Sequence, residues 1–259
     1  MNKICLLSLA LTISIISFGQ NAEDLNKKSK ELIDRRDFKN AIPLIQKAAD
    51  LGNAEAQYNY GVCYQQGVEV TKNDSTANVW FLKSALNGWK DAQFKIAYSY
   101  ATGRGLKQNY TKAFEWSLKC AEQNDPGCMF NVINCYLEGS GVNKNLDSML
   151  IWAIRLGKLE TPENLQLSGQ ITSARANLAT MFRDGVNVKK DLVKSYTWFL
   201  LYNESKRDFS VIVQQENIDA IKKIEKGLTS SQKETAKIEA EKLLNRKLTN
   251  LANLYKQDL

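Results

Sequence analysis

The stretch GRGLKQNYTKAFEW, residues 103–116, places two glycines around an arginine immediately before a sequence with helical character. A glycine-rich loop at a helix N-terminus is a common way to hold a phosphate. The stretch is not unique, however, because GVEV, GSGV and GVNV stand at the equivalent residues 67–70, 139–142 and 185–188. A phosphate loop is needed once, whereas a turn is needed in every repeat. We therefore interpret these glycines as helix ends, where the backbone adopts a positive φ angle.

Three series of residues define the repeat. Tryptophans, glycines and other aromatic residues each recur after 36, 36 and 46 residues, and each glycine precedes its tryptophan by 13. The third repeat therefore carries a ten-residue insertion, which the pattern places between Gly157 and Ile171. The three series are Trp80, Trp116, Trp152 and Trp198; Gly67, Gly103, Gly139 and Gly185; and Tyr64, Tyr100, Tyr136 and Phe182.

Each repeat has the pattern of two helices joined by the glycine turn. After the turn of the second repeat, the stripe at i, i+3, i+4 and i+7 consists of Ala113, Trp116, Ser117 and Cys120. A hairpin this small cannot bury both of its stripes alone, so neighbouring hairpins must stack. The sequence therefore predicts an all-α fold, an α-solenoid of antiparallel helix hairpins wound into a superhelix.

The composition removes several classes of function. The net charge is +7, but basic and acidic residues are interleaved along the chain, so we expect no nucleic-acid partner. The chain has no histidine, which excludes Ser-His-Asp and Cys-His catalysis and histidine metal sites. Cysteine spacings of 57, 8 and 7 match no common zinc pattern, and we expect neither a metal nor a cofactor.

One short motif resembles a catalytic one. The S-x-x-K pattern of penicillin-recognising serine enzymes occurs at residues 230–233, but neither S-D-N nor K-T-G is present. The same residues spell a capping box, with Thr229 paired to Gln232 or Ser231 paired to Glu234. We interpret the motif as the start of a helix.

The first residues have the pattern of a secretory signal peptide. MNKICLLSLALTISIISFGQ contains one lysine, an apolar run from Ile4 to Phe18, and small residues suited to cleavage near Gly19. The run is too short to be a convincing membrane span, so we expect no stable membrane insertion. The mature protein is therefore predicted to be exported, either periplasmic or secreted, to a compartment where disulfides persist.

The repeat pattern A-x-x-x-L-G-x-x-Y-x-x-G-x-G-V, followed by D-x-x-K-A-x-x-W-x-x-K-A-A, resembles the Sel-one-like repeat, a relative of the tetratricopeptide repeat. It appears as AQYNYGVCYQQGVEV, AQFKIAYSYATGRGL, CMFNVINCYLEGSGV and ANLATMFRDGVNV, and covers residues 54–203. The resemblance implies a scaffold that binds other proteins. The first and fourth repeats lack the second glycine of the turn, which leaves the turn geometry open at these two places.

The pattern and the resemblance together divide the chain. Charged helices after the repeats are suited to cap the array, because terminal repeats need a polar outer face. The predicted segments are a signal peptide, 1–19; an N-terminal helical hairpin, 20–53; four repeats, 54–90, 91–126, 127–172 and 173–203; and C-terminal capping helices, 204–259.

The predicted ligand-binding residues lie on the first helix of each repeat. In tetratricopeptide-like solenoids the first helices line the concave side, and one polar stripe of each helix should face it. Asparagine can both donate and accept hydrogen bonds, which suits the backbone of an extended peptide, and Lys95 can meet a carboxylate. The candidates are Asn59, Lys95, Tyr98, Asn131, Asn134 and Asn177. Trp89, in a turn between repeats, is either a binding anchor or packed on the neighbouring turn.

We therefore expect a scaffold that binds a protein partner through an extended peptide, and no enzyme. A structural subunit of an envelope complex is the alternative, and a cell-wall or carbohydrate-active enzyme working with carboxylates is a distant third. A free monomer would favour the peptide receptor, whereas an obligate complex would favour the structural subunit.

Export can be tested by mass. If residues 1–19 are a signal peptide, the intact mass of protein recovered from its native host should lack them. Recovery of the whole chain from the cytoplasm would contradict export.

The resemblance also implies a disulfide bond between Cys120 and Cys128, because cysteine-rich secreted members of the family show the same spacing at this junction. Closing so short a loop should stabilise the fold by roughly 2–3 kcal/mol. Cys63 and Cys135 occupy the same position two repeats apart and are expected to be buried thiols. Titration of the denatured, unreduced mature protein should therefore find two free thiols; finding four would rule the bond out.

Overall fold

A computed structural model describes residues 21–161, 164–204 and 211–251, without the side chains of Leu165 and residues 211–214. Helices account for the regular structure of these ranges, apart from a single 3₁₀ residue at 251, and no strand occurs in them. The predicted all-α class is confirmed, with helices in consecutive packed pairs. The helices are α1 (21–34), α2 (Phe38–Asp50), α3 (Ala54–Gln66), α4 (Asp74–Leu86), α5 (Lys90–Thr102), α6 (Tyr110–Glu122), α7 (Pro126–Glu138), α8 (Leu146–Gly157), α9 (Leu165–Asp184), α10 (Leu192–Glu204), α11 (Val211–Lys226) and α12 (Ser230–Leu244).

The described helices form two compact units. Unit 1 contains α1 to α6 together with residues 140–142, and unit 2 contains α7 to α12. The core of unit 1 is built around Ile45, Tyr60 and Phe81. The core of unit 2 is built around Leu178 and Phe199. None of the helices that can be described is long and apolar enough to cross a membrane. The predicted signal peptide lies outside the described residues.

The glycine turns end helices, as the sequence predicts. Gly67, Gly103, Gly139 and Gly185 all adopt left-handed backbone conformations, with φ between 74° and 80°. Each glycine N–H donates to the carbonyl oxygen four residues earlier, at 2.8 or 2.9 Å. Four copies of one helix end, at four equivalent places, leave no reason to assign a phosphate to one of them.

The residue two positions after each turn glycine has the same backbone geometry whether or not it is itself a glycine. Gly105 and Gly141 have φ angles of 70° and 75°, and the equivalent Glu69 and Asn187 have φ angles of 55° and 61°. A Cβ on Gly105 would lie 2.6 Å from the Asp74 carbonyl carbon, so glycine is required there. The geometry left open by the sequence is therefore shared by all four turns.

The second helix of each repeat is capped and tied to the turn by one residue. Asn73, Asn109 and Asn145 each accept a hydrogen bond from the backbone N–H three residues later. Asp191 does the same for Lys194. The backbone N–H of each of these four residues donates, at 2.9 Å, to the carbonyl of the repeat's aromatic residue: Tyr64, Tyr100, Tyr136 or Phe182. These bonds fix the register between the two helices of a hairpin.

The S-x-x-K stretch is a helix start. The Thr229 hydroxyl accepts from the Gln232 N–H at 3.3 Å, and Gln232 Oε1 accepts from the Thr229 N–H at 2.9 Å. This is a reciprocal capping box at the N-terminus of α12. Of the two pairings open in the sequence, the structure has the first.

Buried amides join successive hairpins in unit 1. Gln57 Nε2 donates to the Ala49 carbonyl at 3.1 Å, and the equivalent Gln93 donates to the Ala85 carbonyl at 3.2 Å. Each glutamine also accepts from the next junction: Gln57 from Asn87, at 3.0 Å, and Gln93 from Gln123, at 2.8 Å. Each glutamine amide thus donates to a carbonyl at the end of the preceding helix and accepts from the side chain at the next junction.

In unit 2 this position holds Met129 in the third repeat and an arginine, Arg175, in the fourth. The insertion of the third repeat lengthens α9 to 20 residues, against 13 in α3, α5 and α7, and separates it from α8 by residues 158–164. Arg175, 1% exposed, donates to the carbonyls of Gly157 (2.8 Å), Leu159 (2.8 Å) and Leu201 (3.1 Å). Burial lowers the pKa of Arg175 to about 10, so the side chain stays protonated at neutral pH. One guanidinium thus pairs with the carbonyls of the longer connection, whereas Gln57 and Gln93 each pair with one carbonyl at a short connection.

The three bonds of Arg175 predict a graded loss of stability. Arg175→Met should lower the free energy of unfolding by about 3–5 kcal/mol, because buried carbonyls that lose their donors each cost about 1–3 kcal/mol. Arg175→Gln keeps one donor for the Gly157 carbonyl, as Gln57 does for Ala49, and should lose about half as much. Urea denaturation measures both. Equal losses in the two variants would show that the bond to the Gly157 carbonyl contributes little, and a loss only in Arg175→Met would show the same of the bonds to Leu159 and Leu201.

Candidate functional site

The predicted binding residues of unit 1 lie on α3 and α5 with different surroundings. Asn59 is half-buried, and Tyr98 is 47% exposed. Lys95 is half-buried, and its Nζ donates to Gln65 Oε1 on α3 at 3.2 Å. Burial lowers the pKa of Lys95 below its ordinary value, and the nearby charge of Arg104 lowers it further. Lys95 therefore spans from α5 to α3 and is partly removed from solvent.

In unit 2 two of the predicted residues line a cavity. Its volume is about 340 Å³, and it lies between α7 and α9, with α8 at its floor and the turn after α9 at one end. Asn134, which is half-buried, and Asn177, which is exposed, belong to its wall, whereas the half-buried Asn131 does not. The other lining residues are Phe130, Ile133, Leu137, Met149, Ala153, Ala174, Leu178, Thr180, Met181, Val186 and Asn187.

The chemistry of this cavity is simple. Most of its wall is aliphatic or aromatic, and none of its lining side chains is charged or titrates near neutral pH. The side-chain amides of Asn134 and Asn177 make no hydrogen bond to any residue that the structure describes. The cavity therefore offers apolar volume together with amides that are available to a ligand, those of Asn134 and Asn177 on the helices and that of Asn187 in the turn after α9.

The floor of the cavity is open because the larger residue of one packed pair stands on the first helix of the repeat instead of the second. In the first repeat Gly61 on α3 faces Phe81 on α4, whose ring lies 2.6 Å from where a glycine Cβ would be. The residues at the same two positions of the third repeat are Ile133 and Ala153, and both line the cavity. The large side chain has moved to the first helix, so no phenyl ring fills the space over α8.

The equivalent junction of unit 1 is closed by the chain's own side chains. Asn177 occupies the repeat position of Lys95, and Leu137 occupies that of Gln65. Lys95 reaches Gln65 across the junction between α3 and α5. Asn177 is shorter than lysine, and leucine offers no acceptor, so the junction between α7 and α9 stays open. The sequence contains this difference, but the polar pattern that predicted Asn177 does not reveal it.

A larger cavity of about 730 Å³ lies between α8, α10 and α12 in the same unit. Its wall carries Lys158, Lys189, Lys190 and Lys194 together with Asp147, Asp191 and Glu239. Lys194 already pairs with Asp191 at 3.9 Å, and the cavity's aromatic residues, Phe182 and Trp198, are buried. A wall that combines lysines, carboxylates and buried aromatic rings does not indicate one class of ligand.

Trp89 is half-buried against the cluster that contains Ala85, Ala92 and Ile96. It stands at the N-cap of α5, where Asn53 and Asp125 cap the equivalent helices, and it makes no side-chain cap bond. Its indole Nε1 is buried and has no hydrogen-bond partner in the described part of the chain. The tryptophan packs on its own unit, and its use as a binding anchor stays a prediction.

The cysteines fall into two groups. Cys63, which is buried, and Cys135, which is half-buried, are the free thiols among the described residues. Burial raises the pKa of Cys63 to about 11 and raises that of Cys135 above its ordinary value. Cys120 and Cys128 are both fully buried, and the structure places their sulfurs at disulfide distance, as the predicted bond requires.

Comparison with known proteins places this geometry in a family. The family model described as the Sel1 repeat matches residues 33–53, 54–89, 90–125, 128–154 and 172–201. The crystal structure of a Sel1 repeat protein from Oxalobacter formigenes is similar, with 24% identity and a TM-score of 0.63 over 88% of this chain and 86% of that one, which supports the fold. A more distant match is c5321, a protective antigen of uropathogenic Escherichia coli strains that displays an SLR fold, with 22% identity, a TM-score of 0.40, and 85% and 52% of the two chains covered. No curated protein matches the chain.

Proposed function

Since the chain belongs to the Sel1 repeat family, whose members are generally protein-interaction scaffolds, we propose that it is an exported scaffold that binds an extended peptide segment of a partner protein. The observation that carries this proposal is the apolar cavity between α7 and α9, with the free amides of Asn134 and Asn177 in its wall. The periplasm or the cell exterior is the proposed location, on the pattern of residues 1–19.

An extended peptide matches the cavity in its chemistry. Each of its residues presents one N–H donor and one carbonyl acceptor, and an asparagine amide can pair with both. Successive side chains of an extended segment point to opposite sides, so one can enter the cavity while its neighbours stay outside. Within unit 1, Tyr98, exposed on α5, and Lys95 offer an aromatic surface and a cation.

The side chains that line the cavity suit binding better than catalysis. A general acid or base must titrate within reach of the substrate, and a nucleophile needs a base beside it. The cavity holds no carboxylate, lysine or cysteine, and the one hydroxyl in its wall, on Thr180, has no such base among the lining residues. Sel1 repeat proteins are typically non-catalytic scaffolds.

The predicted polar stripe of the first helices can be tested with one multiple variant. Substituting Asn59, Lys95, Asn131 and Asn177 by alanine should weaken binding to a partner captured from the envelope fraction by at least about tenfold, or 1.4 kcal/mol. The helical circular dichroism should stay nearly unchanged, because none of the four is part of a core cluster. Affinity is measured by calorimetry with the purified partner.

A matched control replaces four exposed residues away from this stripe by alanine and should bind normally. Its positions are Ser75, Thr111, Glu115 and Glu234. Unchanged affinity in the stripe variant, with loss of binding on Trp89→Ala, would locate the site at the turns instead. A protein found only in an obligate complex would favour the structural subunit.

A further inference from the structure

We infer that the cavity between α7 and α9 takes one large aliphatic side chain of the bound peptide, of leucine or methionine class, while Asn134 and Asn177 pair with the peptide groups beside it. This inference rests on the proposed function and names the residue class that the site selects. It is carried by the size of the cavity, the composition of its wall and the contrast with the equivalent junction of unit 1.

The apolar wall favours an apolar side chain over water or a charged group. At about 30 Å³ per molecule, a cavity of 340 Å³ has room for roughly eleven waters, and its apolar wall offers them few hydrogen bonds. Displacing poorly bonded water by an apolar group favours binding. A charged side chain would lose its hydration without meeting an opposite charge, since no lining residue is ionised.

Unit 1 indicates what fits between successive first helices. There the four-carbon stem of Lys95 lies half-buried in the equivalent junction and ends at Gln65. Unit 2 has the shorter Asn177 at this position and a leucine at the other side. The missing volume therefore corresponds to a long unbranched or singly branched side chain, and in the complex the ligand supplies it.

The floor supports an aliphatic occupant of variable shape. Ala153 leaves open the space that a phenyl ring takes in the first repeat. Met149 and Met181 line the cavity as well, and methionine adapts its shape to its neighbours. A site of this kind accepts leucine and methionine alike and rejects serine, which is too small, and aspartate, which is charged.

The inference can be tested without the partner. The probe is N-acetyl-leucine N′-methylamide, which carries the side chain between two peptide groups, titrated into the mature protein and followed by ¹⁵N-edited NMR. We expect its binding to shift the side-chain amide signals of Asn134 and Asn177. Its affinity should exceed that of the matching serine and aspartate derivatives by about tenfold or more, a difference of about 1.4 kcal/mol.

Two variants separate the cavity from the amides. Ile133→Ala with Ala153→Phe reproduces the pair Ala179 and Phe199 of the fourth repeat, so it should keep the fold and abolish leucine binding. Asn134→Ala with Asn177→Ala should weaken the leucine probe about tenfold. The same variant should leave unchanged the weak binding of isoamyl alcohol, which has the side chain without peptide groups. Ser75→Ala in unit 1, at an exposed position outside the stripe, is the control and should alter neither.

Several results would overturn the inference. Equal affinities for the leucine and serine derivatives would show that the cavity does not select the side chain, and leucine binding that survives the filled floor would place it elsewhere. A dimer that dissociates in the filled variant would make a second copy the occupant.

If the leucine probe fails while the stripe variant still loses the partner, this inference falls and the proposed function stands. If the probe binds but the stripe variant keeps the partner, the proposed function falls, and with it the assignment of the cavity to a peptide.

Discussion

The register of every repeat hairpin depends on the turn between its helices. A left-handed glycine ends the first helix, and the cap residue of the second helix donates its backbone N–H to the aromatic residue's carbonyl at 2.9 Å in all four repeats. Because these bonds are between backbone groups, they hold the helices in one relation whatever the neighbouring side chains are. Glu69 and Asn187 adopt positive φ angles that are uncommon for residues other than glycine, which shows how strongly this geometry is imposed.

Because the hairpins share one backbone geometry, the repeats differ in the side chains at the junctions between hairpins. Gln57 and Gln93 can serve a short connection with one bond to a helix end, but the longer connection after α8 leaves more carbonyls to satisfy. Arg175 has five N–H groups in a planar fork and reaches three carbonyls from the same repeat position. Its burial is tolerated because each of these bonds is assisted by its charge.

The sequence predicts the fold well, because the signals are local and repeated. Tryptophan and glycine spacing alone gives the hairpins and the all-α class. It does not predict Arg175 or the buried glutamines, since a single sequence shows a polar residue at a helical position as solvent-facing. It also does not predict the cavity. The sequence favours Asn134 and Asn177 for their hydrogen-bonding ability, whereas the cavity arises from the pairing of Ile133 with Ala153. Helical periodicity gives no information about pairs on different helices.

The two units put different chemistry on equivalent positions of one scaffold. At the junction of α3 and α5, Lys95 and Gln65 fill the space with a cation and an amide. At the junction of α7 and α9, Asn177 and Leu137 leave an uncharged cavity. Burying a charge without a partner costs more free energy than burying a methyl group gains, so the uncharged wall of the cavity disfavours a charged group. The chemistry at this repeat position therefore changes without a change of fold. The change requires only that a long polar pair in one repeat be replaced by a short polar and an apolar residue in another.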